Sequence, residues 1–521
     1  MRTTAKAVFY LIFGLGVVRA ILFTGYVACH VTTPHDAGAQ ECAMVHLAWR
    51  VEHGVRLYPD WRTYPHVANF YAPLNFLLVG GLGRALRASL DQLYMIGRAV
   101  TITSVTITML VLGVFLNRRY GATAALLAMV LSVGVRPLFP AGLMCRPDAL
   151  AELLGLTGFF LVGCRSAALA FAGGLSLWLA AATKQTALVY LLAGVVGLFL
   201  QARRVRALAV LAGVTAPLLM MVLAVQYFIE PNFAACLLGE ARTAADFASW
   251  WQTIRGISLA DPEFFALSAA AFWIWCRGPR KEPSLAALAA LLWVSSVITA
   301  AKRGSGDNYF LGVRSIAALG AAALWDQVRA TGLRPRAWHV VVSAATALGM
   351  VLSVYDAGVY LSLAVMSKRL RATPQGKAID KLYDQIYALA ANPERHFLTD
   401  LGPIDIRQGD RTLYADPFRF KLMVETGQIN PDRVLEYIDS QKYSVLICGR
   451  DLLSPTYSTH DSSLPSVLME RARLRYEPVG SLYGLYLYGP RGRGRSPEST
   501  SLSTLRSVPA SRRVLTPRSV H

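Results

Sequence analysis

The chain has 521 residues, 54% of them hydrophobic and only 16% charged, with a formal net charge of +20. Soluble domains carry about a quarter charged residues, so this composition excludes an ordinary soluble protein and points to an integral membrane one. The positive balance does not require nucleic acid, because membrane proteins keep Lys and Arg in their cytoplasmic loops, and the seven scattered cysteines, with no CxxC pair, indicate neither a disulfide framework nor a zinc site.

Arg2 and Lys6 precede an apolar run over 7–29 that only Arg19 interrupts. The run exceeds the roughly 7–15 residues of a signal-peptide core and suits a spanning helix with its N-terminus in the cytoplasm. Arg19 then faces the bundle interior or snorkels to an interface.

The stretch 31–74 follows, polar and aromatic, carrying Asp36, Glu41, Tyr58, Asp60 and Tyr71. A first loop this long invites a functional reading. Residues 39–54 have helical spacing, with Cys42, Val45 and Trp49 on one face, as in a helix lying on the membrane surface. Asp36 falls at or before its start and Glu41 in its first turns. A carboxylate there serves either as a general base on an acceptor hydroxyl or as a favourable partner of the helix N-terminus. His35, His46, His53 and His66 share the loop without ligand spacing, so no metal site is expected.

Further apolar segments lie at 93–116, 120–138, 149–164, 167–183, 186–200, 207–229, 262–276, 284–301, 310–328 and 338–358. With the first run they predict about eleven spans of ~20 residues or a little less. The basic clusters at Arg118 and Arg119, at Arg165, at Arg203 to Arg206, at Arg277 to Lys281 and at Arg329 to Arg336 fall in every second connection. The positive-inside rule places all of them in the cytoplasm in one consistent orientation. The apolar stretch 70–86 would invert that order if it spanned, and is therefore expected to be a juxtamembrane helix at the outer surface.

Connections on the opposite, outer face hold the remaining ionisable residues. Arg146 and Asp148 either position a phosphate and orient a second acid, or form an ion pair opening the next helix after Pro147. Lys184, with Gln185 beside it, suits a lipid-phosphate headgroup as a point charge, or snorkels. In KRGSGDNYF, Lys302, Asn308 and Tyr309 project from a Gly-bearing turn; the segment lacks the GxxxxGK pattern of a nucleotide loop. Tyr58 and Tyr71 complete the set of candidate substrate contacts. Charge near a bilayer is costly, and its gathering on one face marks a site.

Beyond residue 366 the pattern changes. Ile379, Leu382, Ile386 and Leu389 share a helical face, HFLTD and YSVLIC read as short strands, PDRVLEYIDSQ as a helix, and YEPVGSLYGLYLYG as a closing hairpin. The expected organisation is an all-α polytopic membrane domain over 1–365, with its outer catalytic loop at 30–92, a small extracytoplasmic α/β domain over 366–490, and a disordered basic tail over 491–521.

The ordered motifs AWRVEHGVRLYPDW, NFYAPL, CRPD, ATKQT and KRGSGDNYF, followed by HFLTDLGPIDIRQGDRTLYADPFRF, resemble the multi-spanning GT-C glycosyltransferases. The bacterial branch that includes aminoarabinose transferases and relatives of protein O-mannosyltransferases is the most similar. The resemblance implies a plasma (inner) membrane enzyme that moves a sugar from a polyprenyl-phosphate donor to a glycan, lipid or protein acceptor on the extracytoplasmic face, with inversion. It implies that the first-loop acid, Asp36 or Glu41, is the base, that Asp148 assists, and that Arg146 and Lys184 hold the lipid phosphate as it leaves. The resemblance fixes no cofactor: a divalent cation, Mg or Mn, assists some members and not others. Two other readings compete. A transporter or flippase for a lipid-linked precursor predicts internal repeats and interrupted helices, and no clear repeat is seen. A scaffold displaying the outer domain would not need acidic and basic motifs on one face.

Overall fold

The structure, a computed structural model, describes residues 2–33, 40–134, 138, 142–239, 245–277, 281–303, 306–330, 337–454, 463–482 and 484–492. Asp36 and almost all of the basic tail lie outside the described residues. The chain forms two compact units. One holds residues 1–38 and 70–366, the other 39–69 and 367–521.

In chain order the helices of the first unit are α1 (Arg2–His30), then, after α2 (Glu41–Glu52) of the second unit, α3 (Leu74–Leu86), α4 (Leu90–Tyr120), α5 (Ala122–Ser132), α6 (Asp148–Val162), α7 (Ala167–Thr183), α8 (Leu188–Leu200), α9 (Arg204–Ala224), α10 (Phe233–Gly239), α11 (Phe247–Ala260), α12 (Pro262–Arg277), α13 (Pro283–Ala300), α14 (Leu311–Ala330) and α15 (Ala337–Ala372). Five of the described helices are long and apolar enough to cross a membrane, six if α11 and α12, bent by 91° at Asp261, make one broken span. The expectation was about eleven. The difference has a physical origin. Runs of 11–17 residues, such as α5 and α7, reach roughly 16–26 Å, short of the ~30 Å hydrocarbon core. The 13 residues of α3 likewise reach only roughly 20 Å.

Local chemistry sets the ends. Ser89 starts α4 with a reciprocal capping box to Gln92, and Gly121, at φ +89°, breaks α4 from α5. Buried Arg98 on α4 donates to the carbonyls of His30 and Thr33, satisfying the end of α1. α6 and α7 pack backbone to backbone. A Cβ at Gly173 would lie 2.6 Å from the Val162 amide nitrogen, and one at Gly158 2.9 Å from the Gly173 oxygen. Close approach between small residues is how helices associate where lipid removes the hydrophobic drive.

Arg19 is fully buried in the middle of α1. Its Nη1 donates to Glu263 Oε1 at 2.7 Å and to Ser353 Oγ at 2.6 Å, and lies 3.8 Å from Asp261. It thus faces the interior, the first of its two expected positions, because desolvating a guanidinium needs acids around it.

The second unit is built on a four-stranded sheet, β1 (Phe397–Thr399), β2 (Val445–Cys448), β3 (Tyr476–Leu482) and β4 (Leu485–Pro490), in the order β1-β2-β4-β3. β1 and β2 are parallel, with Phe397 opposite Val445, and β4 is antiparallel to both neighbours. Leu382 and Ile386, from the helix Pro374–Ala391, pack with Phe397, Val445, Ile447 and Leu487 as the core. α2 belongs here. The expectation of a helix lying on a membrane surface is corrected: every residue from Glu41 to Ala48 is buried, so α2 has no exposed polar face along that length. Cys42 Sγ donates to the Ala415 carbonyl at 3.5 Å, and a Cβ at Gly409 would touch the Trp49 ring.

Candidate functional site

The site of the first unit is assembled from three helix ends. Pro147 precedes α6 and sets its first turn, so Asp148 stands at the helix N-terminus, where a carboxylate is favoured by the exposed amides. α7 stops at Thr183. The extended backbone of Lys184, φ −153° and ψ 126°, turns its side chain away from the helix, and a short 3-10 turn over Gln185–Ala187 follows. A second 3-10 turn, Asp307–Phe310, leads into α14 and carries Asn308 and Tyr309.

These ends meet at Asp148. Its Oδ1 accepts from Lys184 Nζ at 2.6 Å and from Asn308 Nδ2 at 2.8 Å, and its Oδ2 from Arg146 Nε at 3.2 Å. Lys184 is 4% exposed and lies 4.8 Å from the Tyr309 ring centre and 5.8 Å from that of Tyr71. Aromatic faces stabilise a desolvated ammonium. Gln185 Nε2 donates to the Phe70 carbonyl at 2.6 Å, tying the α7 end to the segment that carries Tyr71. A small cavity of about 60 Å³ opens here, lined by Asp148, Lys184, Tyr190, Ser296, Asn308 and Tyr309. Two cations, Arg146 and Lys184, surround one carboxylate. The cluster keeps one positive charge over and favours an anionic ligand.

One turn further along α6, Glu152 shares the face of Asp148. Arg314 Nη2 donates to both its oxygens, at 3.1 and 2.9 Å, and Ser315 Oγ to Oε1 at 2.6 Å. The segment 308–315 therefore grips α6 twice, at Asp148 and at Glu152. Sequence reasoning missed Glu152, Arg314 and Ser315. The available signal was an acid and an arginine inside apolar runs, which must find partners.

Of the expected site residues, the structure brings together Arg146, Asp148, Lys184, Asn308, Tyr309 and Tyr71, with Gln185 anchored beside them. Lys302 is half-buried at the end of α13, and its backbone forms an antiparallel bridge to Ala245. Glu41 and Tyr58 are in the second unit, and both are buried. Gln40, in the left-handed region at φ 78°, precedes Glu41 at the N-terminus of α2. One turn on, burial pushes the His46 imidazole down to about 3, with the nearby Arg50 charge adding to the effect. Its ring stacks on Trp49 at 5.5 Å.

No three His, Cys, Asp or Glu among the described residues are grouped as metal ligands. Asp148 already has a cation on each oxygen, so adding a dication there would set three positive groups on one carboxylate.

No family model matches the sequence, and neither does any curated protein. The fold is similar to that of ArnT from Cupriavidus metallidurans bound to undecaprenyl phosphate, with a TM-score of 0.53 and 16% identity over 91% of this chain and 98% of that one. It is similar also to the Archaeoglobus fulgidus oligosaccharyltransferase. In the complex with zinc and sulfate the TM-score is 0.52 at 13% identity, over 91% of this chain and 73% of that one. In the complex of this enzyme, AglB, with an inhibitory peptide and a dolichol-phosphate it is 0.50 at 12% identity, over 93% and 75%. The chain has the GT-C fold of these membrane proteins.

Proposed function

We propose that this chain is a multi-pass membrane glycosyltransferase that takes a sugar from a polyprenyl-phosphate donor. The observation that carries the reading is the pair Arg146 and Lys184 converging on Asp148 with one positive charge in excess, in a fold shared with a protein solved with undecaprenyl phosphate. In this reading the donor phosphate sits against Arg146 and Lys184. Asp148, itself fixed by Asn308, holds Lys184 in place. An acid of the first loop, Asp36 or Glu41, takes the proton from the acceptor nucleophile, which bonds to the anomeric carbon. The bond from that carbon to the phosphate oxygen breaks, the configuration inverts, and the charge left on the polyprenyl phosphate meets the two cations.

The topology belongs to the same proposal. About eleven crossings, some made by short or broken helices, place the N-terminus in the cytoplasm of the inner membrane. The domain division is then 1–365, 366–490 and 491–521, with the first loop and the C-terminal elements extracytoplasmic. The acceptor is a glycan, lipid or protein. An in-vitro transfer assay from polyprenyl-phosphate sugars tests the reading with Asp36→Asn, Glu41→Gln and Asp148→Asn. Loss in Asp148→Asn and in one first-loop variant is expected; full transfer by all three refutes the site. A flippase is the second reading. The 91° break at Asp261 is the feature that favours it, since transporters build sites at interrupted helices. It predicts lipid translocation without any transfer.

A further inference from the structure

The Asp148 cluster occupies one end of the first unit, and basic connections gather at the other. Arg203, past the end of α8, donates from Nη1 to the Gly163 carbonyl, past the end of α6, at 2.9 Å. Gln201 Nε2 donates to Ser284 Oγ in the first turn of α13, and Arg119 of α4 pairs with Glu282 just before it. α8 and α13 run between the two ends. Tyr190 and Ser296 line the Asp148 cavity, whereas Leu200 and Pro283 lie at the basic end. The 13 residues of α8 set those ends roughly 20 Å apart.

At the basic end α8, α12 and α13 leave a groove of about 530 Å³ between them, within the roughly 300–1,000 Å³ of ligand-holding clefts. Its base is closed by backbone contact between α8 and α13, since a Cβ at Gly197 would lie 2.7 Å from Ser284 Oγ. Ala286, Ala287 and Ala290 give the α13 wall only methyl groups, and Phe272 and Trp275 form the α12 wall. Leu200 and Phe272 are 59% and 44% exposed, so the groove opens sideways onto the apolar outer surface that lipid covers. Lys281 alone among the described lining residues is charged, and it is exposed. Its neighbour Glu282 is taken by Arg119, and Arg277, in the last turn of α12, adds a second exposed cation.

We propose that this groove is a second lipid site, which holds one acyl chain of an anionic phospholipid with its phosphate against Lys281. The chemistry selects that occupant. Apart from Lys281 the walls are apolar, so they match a hydrocarbon chain and lack the polar groups that orient a soluble ligand. A zwitterionic headgroup brings its own cation towards Lys281 and Arg277, whereas a headgroup charged only at its phosphate does not. Basic pockets between spanning helices are where anionic headgroups bind. In the proposed topology this end faces the cytoplasm, and the lipid stands in the leaflet opposite the donor. The site stands on the groove and its lysine and needs no sugar transfer.

The test is photolabelling of the full chain in phosphatidylcholine nanodiscs doped with a phospholipid that carries a diazirine near the end of one acyl chain. One probe has a phosphatidylglycerol headgroup, the other phosphatidylcholine. In wild type the phosphatidylglycerol probe should label peptides over 196–200, 272–276 or 286–291 on the order of fivefold more than the other, the factor that one lysine near an anionic headgroup supplies. Lys281→Gln should bring the two probes level without moving the thermal midpoint, and Lys281→Arg should keep the preference. Ala290→Phe, which fills the groove, should remove the label there with either probe. Should that variant fail to fold, Ala287→Leu replaces it with the same expectation. Equal labelling of wild type by the two probes, or undiminished label in the filled groove, would overturn the site. Displacement of the label by undecaprenyl phosphate but not by unlabelled phosphatidylglycerol would give the groove to a polyprenyl tail and overturn the proposal as well.

Discussion

Asn308 Nδ2 donates to Asp148 Oδ1 at 2.8 Å, joining residues 160 positions apart in sequence. Lys184 shares that oxygen at 2.6 Å. The acid therefore fixes where the lysine charge stands, and in the proposed function that charge is what an anionic headgroup meets.

Replacing Asp148 by Asn removes the partner of a buried ammonium. Breaking one side of a buried pair costs about 3–5 kcal/mol. Asp148→Asn should lower the thermal midpoint and misplace Lys184, and nanodisc binding of polyprenyl phosphate should fall with it. Unchanged stability and binding would mean that the Asp148–Lys184 contact contributes nothing to the site.

Arg314→Met leaves Glu152 as an uncompensated buried charge and should cost about 3–5 kcal/mol. Adding Glu152→Leu removes that charge as well. Most of the lost stability should return in the double variant, as read by denaturant titration in mild detergent. A double variant no better than Arg314→Met would show that the pair is not the source of the loss.

α6 and α7 touch through backbone at Gly173, so Gly173→Val must push them apart. A cost of about 1–3 kcal/mol is expected from overpacking. Gly174, whose Cβ would meet only Val214 Cγ2 at 3.8 Å, is the control. Gly174→Ala should leave the melting curve unmoved.

His46 gives a pH prediction for the second unit. Its folded-state value, about 3, lies below the unfolded 6.5. The unfolded chain therefore gains a proton that the folded one refuses, and stability is lost as pH falls below about 6.5. Asp400 and Asp405, both pushed up to about 6 by burial, act oppositely, gaining stability as pH falls through 6. Comparing wild type with His46→Leu cancels the aspartates. The variant's advantage should grow by about 2 kcal/mol between pH 8 and pH 5, read from hydrogen exchange at β2. A pH-independent difference would contradict the buried neutral imidazole.

The Asp148 cluster of the candidate site was legible because its members announce themselves at the ends of apolar runs. CRPD, ATKQT and KRGSGDNYF each place a polar side chain where a helix begins or stops, and Asp148, Lys184 and Asn308 are the side chains that meet. Partner choice inside the bundle was not legible. Arg19 within an apolar run says only that an acid must face it, and nothing local singles out Glu263, 244 residues away. The helical spacing of Cys42, Val45 and Trp49 likewise cannot distinguish a membrane surface from the flank of a sheet domain. The expected strands and closing hairpin of that domain are visible as β1, β2 and the β3–β4 pair, because short apolar runs between turn residues are local signals.

The central claim is that Lys184 meets the phosphate of a lipid-linked sugar as it departs. The direct measurement is single-turnover transfer from a labelled polyprenyl-phosphate sugar by wild type and Lys184→Gln, in the same nanodiscs with matched folding. The account predicts transfer by wild type and a loss on the order of a hundredfold in the variant, the scale of removing one group that stabilises developing charge. Equal transfer by the two proteins would contradict it.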